Sequence, residues 1–155
     1  MNAVPATSSV QRPNAFLPIL VGGFAAGVLD LTAAFIIYGP GVPRVIAGGI
    51  LGLKALEGGA AVYALGVALQ FFIATSAAAV YYATSRKLKF LKEHVLVCGW
   101  FYCIAVYLVM NLIVLPLSAL HATDPLPLTG LIRGLLVHMF CVGLPISFSV
   151  RRYAK

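Results

Sequence analysis

Charge is scarce in this chain: four acidic and eleven basic side chains leave only 10% of its 155 residues charged, too few to coat a water-soluble domain. With 61% hydrophobic residues and a mean hydropathy of +0.99, an ordinary soluble fold is excluded. Reaction-centre motifs are missing as well. No H-E-x-x-H, G-x-S-x-G, P-loop or Cys/His ligand spacing occurs, so no enzyme activity, metal or cofactor is expected. The three cysteines, Cys98, Cys103 and Cys141, are odd in number, form no C-x-x-C and lie in apolar segments. They support neither a disulfide framework nor a zinc site and read as buried small apolar residues. A formal charge of +7 suits nucleic acid, but the basic residues flank apolar segments, where they anchor against anionic lipid. The expected partner is therefore the lipid bilayer and not nucleic acid.

What the chain does have is long apolar runs. After a polar stretch containing Pro5, Arg12 and Pro13, read as a flexible cytoplasmic tail over residues 1–15, four runs at about 16–38, 58–85, 95–119 and 129–150 are each long enough to cross a bilayer. The first is too long for a signal-peptide core and lacks a charged leader, so an uncleaved span is expected. Gly39, Pro40, Gly41 and Pro43 stop it. Residues 43–57 then suggest a shorter helix with Ile46, Ile50, Leu53 and Leu56 on one face, marginal for spanning and read as interfacial or re-entrant. The fold expected is an all-α integral membrane four-helix bundle in one domain over residues 16–150, with that short helix between spans 1 and 2 and a basic cytoplasmic tail at 151–155. No internal repeat is visible.

Orientation follows from the basic residues. Arg86, Lys87, Lys89 and Lys92 in the second connection, Arg151, Arg152 and Lys155 at the C-terminus, and Arg12 fall on one side of a four-span chain, against Arg44, Lys54 and Arg133 on the other. The positive-inside rule puts both termini in the cytoplasm. Trp100, Tyr102, Tyr81 and Tyr82 sit near the cytoplasmic span ends and read as an aromatic belt.

Four polar residues, one from each span, ask for a partner or a purpose: Asp30, Gln70, Asn111 and His138. At about 1.5 Å of rise per residue, all four lie roughly 12–17 Å below the outer ends of their helices. They can share one layer, which would serve as a ligand or proton site, with Asp30 as the ionisable carboxylate, His138 as its partner, and Gln70 and Asn111 as hydrogen-bonding groups. The competing reading is interhelical glue that fixes helix register. Gly23, Gly27, Asp30 and Ala34 recur at helical spacing and turn Asp30 toward a neighbouring helix. The pairs Gly23/Gly27 and Gly48/Gly52 read as helix-packing positions. Arg44, Glu57 and Arg133 lie near the outer ends and are candidates for an external mouth, the default being headgroup snorkelling, with Lys54 and Glu57 a surface pair.

The stretch Gly22-Gly23-Phe24-Ala25-Ala26-Gly27-Val28-Leu29-Asp30, with Tyr38-Gly39-Pro40, Tyr107-Leu108-Val109-Met110-Asn111 and Leu115-Pro116-Leu117-Ser118, resembles a family of small uncharacterised bacterial four-span inner-membrane proteins. The likeness runs from Leu17 onward and implies the same fold and a bacterial inner-membrane location. It implies that Asp30, Asn111 and His138 match the family pattern, whereas a histidine often stands where this chain has Gln70. It supplies no activity.

Three functions stay open at this point. The first is a non-enzymatic protein that binds a small ligand, lipid or partner in its bundle. The second is a small proton-coupled carrier or channel, working as a homo-oligomer around Asp30. The third is a scaffold or assembly factor docking through the Arg86–Lys92 loop.

Overall fold

The computed structural model describes residues 15–121 and 127–154. The expected N-terminal tail up to Asn14, residues 122–126, and Lys155 of the expected basic tail lie outside the described residues. Among the described residues there is no strand. Four helices are long and apolar enough to cross a membrane: Phe16–Tyr38, Ala60–Lys87, Val95–Leu117 and Leu128–Tyr153, taken in order as spans 1 to 4. Large apolar side chains on their outer faces are open, Ile36 by 80% and Phe101 by 69%. In water such a surface would aggregate, and in a bilayer it is the lipid contact. The chain is a multi-pass membrane protein.

These helices begin and end within a few residues of the apolar runs in the sequence, but the basic residues do not all sit in a loop. Arg86 and Lys87 continue span 2, and Arg151 and Arg152 close span 4. A one-turn helix, Phe90–Glu93, makes most of the link to span 3. Lys92 Nζ donates to the Ala154 carbonyl at 2.8 Å, tying that link to the C-terminal end and gathering the basic residues at one end of the bundle, the basic end.

The short helix is Val42–Leu51, with Pro43 in its first turn. It ends sooner than expected, because Gly52 takes φ +72° and its N–H returns to the Gly48 carbonyl at 2.8 Å, a left-handed stop that glycine adopts without strain. Leu53–Glu57 then forms a separate 3-10 turn. Leu53 and Leu56 therefore do not extend the face of Ile46 and Ile50.

Small residues decide which helices pack. Gly23 and Gly27 in span 1 meet Thr75 and Phe71 of span 2, and neighbouring Gly22 meets Ser149 and Ile146 of span 4. Gly99 and Gly143 bring the backbones of spans 3 and 4 together. The helices thus run 2–1–4–3 around a horseshoe. The expected packing role of Gly23 and Gly27 has a physical partner. Gly48 and Gly52 are different: Gly48 makes room for the Leu120 side chain, and Gly52 is the helix stop.

Spans 2 and 3 leave the horseshoe open between them and are joined near its two ends. On the basic side Tyr102 Oη donates to the Ala77 carbonyl at 2.6 Å, Tyr81 stacks edge-on against Tyr102, and Tyr81 Oη donates to the Leu91 carbonyl. Tyr81 and Tyr82 are buried, and Tyr81 and Tyr102 bond their hydroxyls to carbonyls inside the bundle, so these tyrosines are core residues and not an interfacial belt. Trp100, partly open and edge-on to Phe140, is the one that keeps a belt-like position. At the far end the Ala119 N–H donates to the Gly49 carbonyl at 2.9 Å, so the short helix bridges the gap. Of the cysteines, Cys98 and Cys103 are buried and Cys141 is half-buried.

Candidate functional site

The polar residues meet where spans 1, 2 and 4 converge. Spans 1 and 2 are antiparallel, and their contacts follow one register: Gly23 against Thr75, Gly27 against Phe71, and then Asp30 against Gln70. Because the two glycines let the backbones close in, the next residue on that face of span 1 is delivered to span 2 within hydrogen-bond reach. Gln70 Nε2 donates to Asp30 Oδ2 at 2.7 Å, a length typical of charge-assisted bonds.

His138 arrives from span 4. Its ring lies edge-on to Tyr107 at 5.1 Å between centroids, and Tyr107 fits there only because Gly134 has no Cβ to block it. His138 Nδ1 lies 3.0 Å from the Gly134 carbonyl and 4.0 Å from Asp30 Oδ1. A carbonyl only accepts, so the short contact puts a proton on Nδ1 and leaves Nε2 as an acceptor when the ring is neutral. The contact to Asp30 is too long for a hydrogen bond.

Asn111 does not join them. It lies in a π-helical turn, Met110–Val114, and its Nδ2 donates at 2.8 Å to the Tyr107 carbonyl of its own helix. A second π turn, Met139–Gly143, follows His138 directly. Each π turn runs up to a proline, Pro116 and Pro145, where a missing N–H and the ring clash disturb regular α hydrogen bonding.

Asp30, Gln70 and His138 form the polar end of a cavity of about 370 Å³, a size that holds small ligands. Apart from Ser118, whose hydroxyl is bonded to the Leu115 carbonyl, its walls are otherwise apolar, with Leu69 and Ile73 from span 2, Val106 and Met110 from span 3, and Ile46 and Ile50 from the short helix. Phe72 and Ile50 line it and are themselves 69% and 62% exposed, so the cavity opens sideways between spans 2 and 3 toward lipid.

The three mouth candidates do not line this cavity. Arg44 Nε donates to the Gly58 carbonyl at 2.7 Å and its guanidinium lies over the Tyr63 ring, so it fastens the short helix to the start of span 2. Glu57 and Arg133 are exposed. Among the described residues the Asp30–His138 approach is the one acid–base contact within 4.0 Å, so Lys54 and Glu57 do not pair. Sequence reasoning missed Tyr107 as the support of His138, and it missed the apolar walls. Gly134 one turn before His138 was the available signal for the first. No grouping of three or more metal-ligating side chains occurs among the described residues.

Comparison with protein-family models, curated proteins and solved structures finds no match for this chain.

Proposed function

We propose that this protein is a non-enzymatic binder that takes a small, largely apolar molecule from the surrounding lipid through the opening between spans 2 and 3. The observation that carries this reading is the cavity itself: largely apolar walls, a lateral opening and a polar end built from three helices. A buried polar cluster serving only as glue has no need of a cavity beside it. The opening suits a flexible chain or a small molecule rather than another helix, because the Tyr102–Ala77 bond and the Ala119–Gly49 bond cross it at either end. In keeping with the family resemblance, we place the protein in a bacterial inner membrane with the basic end in the cytoplasm, as the concentration of Arg86, Lys87, Lys89, Arg151 and Arg152 at that end supports.

The test uses a long-chain alcohol carrying a diazirine, photolysed with the protein in lipid nanodiscs, and mapping of the labelled residues by mass spectrometry. Labelling concentrated on Leu69, Ile73, Val106 and Met110 is expected. Labelling spread evenly over outer-face residues such as Phe24, Phe101 and Leu112 would refute the reading.

One observation favours a second reading, that of a proton-coupled carrier. One π turn holds Asn111 in span 3 and the other follows His138 directly in span 4, and π turns give a helix an alternative register in which to shift. Proton flux into liposomes under a pH gradient, lost in Asp30→Asn, would establish it. No Asp30-dependent flux would dismiss it.

A further inference from the structure

The binding reading leaves the ligand's chemistry open, and the hydrogen-bond inventory at the polar end narrows it. Gln70 turns its amide nitrogen onto Asp30 Oδ2, and His138 keeps Nδ1 on the Gly134 carbonyl. Three acceptors then have no hydrogen-bond donor among the described residues: Asp30 Oδ1, Gln70 Oε1 and His138 Nε2. Among the described residues no fully enclosed side-chain nitrogen or oxygen lacks a hydrogen-bond partner. The free acceptors are therefore not fully enclosed, and they belong to side chains that line the cavity.

Charge points the same way. Among the described residues no lysine or arginine lines the cavity, and Asp30 is the one carboxylate that does. An ionised carboxylate in apolar surroundings is costly unless a cation or several donors face it. Gln70 supplies one donor, and the His138 Nδ1 proton is held by the Gly134 carbonyl, 4.0 Å from Asp30 and beyond hydrogen-bond reach. The missing partner is positively charged and rich in N–H groups.

We infer that the cavity takes a lipophilic ammonium, a protonated primary amine on an apolar body, with its N–H groups on the acceptors of Asp30, Gln70 and His138 and its apolar part between spans 2 and 3. This rests on the binding reading, and the experiment separates the two.

The diazirine alcohol described above serves as the reporter in nanodiscs at neutral pH, with n-octylammonium and n-octanol as competitors. They match in chain length and differ in charge and donor number. In the parent chain octylammonium is expected to displace the reporter from the cavity at a concentration about ten-fold or more below that of octanol. In Asp30→Asn, which keeps the side-chain shape and removes the charge, that ratio is expected to fall to about one. Equal displacement in the parent overturns the ammonium inference and leaves the binding reading standing. A preference that persists in Asp30→Asn also overturns it, since the preference would then come from membrane partitioning. A reporter that never labels the cavity overturns both. If Asp30→Asn does not fold, the parent is tested with octyltrimethylammonium, which keeps the charge without N–H groups. Weaker displacement than by octylammonium supports the inference, and equal or stronger displacement overturns it.

Discussion

Replacing Gln70 and Asp30 by leucine, singly and together, measures what the contact between spans 1 and 2 contributes. The bond is 2.7 Å long, a length typical of charge-assisted bonds, and the Asp30 side chain is 17% exposed and lines the cavity. Hydrogen bonds to charged groups contribute about 1.5–3 kcal/mol in soluble proteins, while polar pairs between membrane helices average about 0.6 and reach about 1.7 kcal/mol. The charge places this pair toward the top of the membrane range, at a coupling of about 1–2 kcal/mol. The two single variants should differ. Gln70→Leu leaves a carboxylate without its donor and is expected to cost roughly 1–3 kcal/mol. Asp30→Leu removes the charge altogether and leaves only a neutral amide, so its cost is expected to be smaller. In the double variant neither group remains to be left unpaired, and stability is expected to return close to that of the parent, as when a buried pair is replaced by apolar residues of similar size. The assay is reversible unfolding in mixed micelles, followed by far-ultraviolet circular dichroism. Strictly additive effects, with no cost in Gln70→Leu, would show that Gln70 does not hold Asp30 and would remove the basis of the site.

Three other outcomes follow from single contacts. Gly66→Ala is expected to destabilise by about 1–3 kcal/mol, because a Cβ there would run into the Pro43 backbone and lift the short helix off span 2; Gly41→Ala, which meets open space, serves as the neutral control in thermal unfolding. Tyr102→Phe removes the bond to the Ala77 carbonyl and is expected to cost about 0.5–1.5 kcal/mol, with spin labels on spans 2 and 3 moving apart; an unchanged distance would show that the short helix alone holds the gap. Asn111→Ala is expected to leave photolabelling of the cavity unchanged, because Asn111 bonds its own helix, while Gln70→Leu alters it; a loss of labelling in Asn111→Ala would return that residue to the site.

The four spans were legible because a bilayer imposes length and apolarity on any helix that crosses it, and the runs ending at Tyr38 and beginning at Val95 obey both. The pairing of Asp30 with Gln70 was partly legible, since the Gly23, Gly27 and Asp30 spacing fixes a face. Depth along the helix axis did not place Asn111. Equal depth does not decide azimuth, and the π turn at Met110–Val114 rotates that stretch away from ideal α spacing. Arg44 looked like a headgroup anchor because its position near a helix start suits snorkelling, yet a carbonyl freed by the turn at Gly58 lies within its reach. Tyr81 and Tyr102 looked interfacial by position alone. Their hydroxyls instead satisfy the carbonyls of Leu91 and Ala77, contacts between segments that no local pattern encodes.

The opening between spans 2 and 3 comes from how the small residues are distributed. Consecutive spans joined by a short link ordinarily pack together, and here they do not. Span 2 offers Gly66 to the short helix and Thr75 and Phe71 to the glycines of span 1, while span 3 offers Gly99 to span 4. With those faces committed, spans 2 and 3 turn Leu69, Ile73, Val106 and Met110 toward the cavity and no glycine toward each other. Membrane helices associate through close packing, since lipid tails are as apolar as leucine and give no hydrophobic drive to shut a gap. A lateral cavity lined by leucine, isoleucine and methionine can therefore stay open in a bilayer, filled by lipid tails or by a ligand that displaces them. The single carboxylate at its polar end then gives a cationic ligand the advantage over lipid.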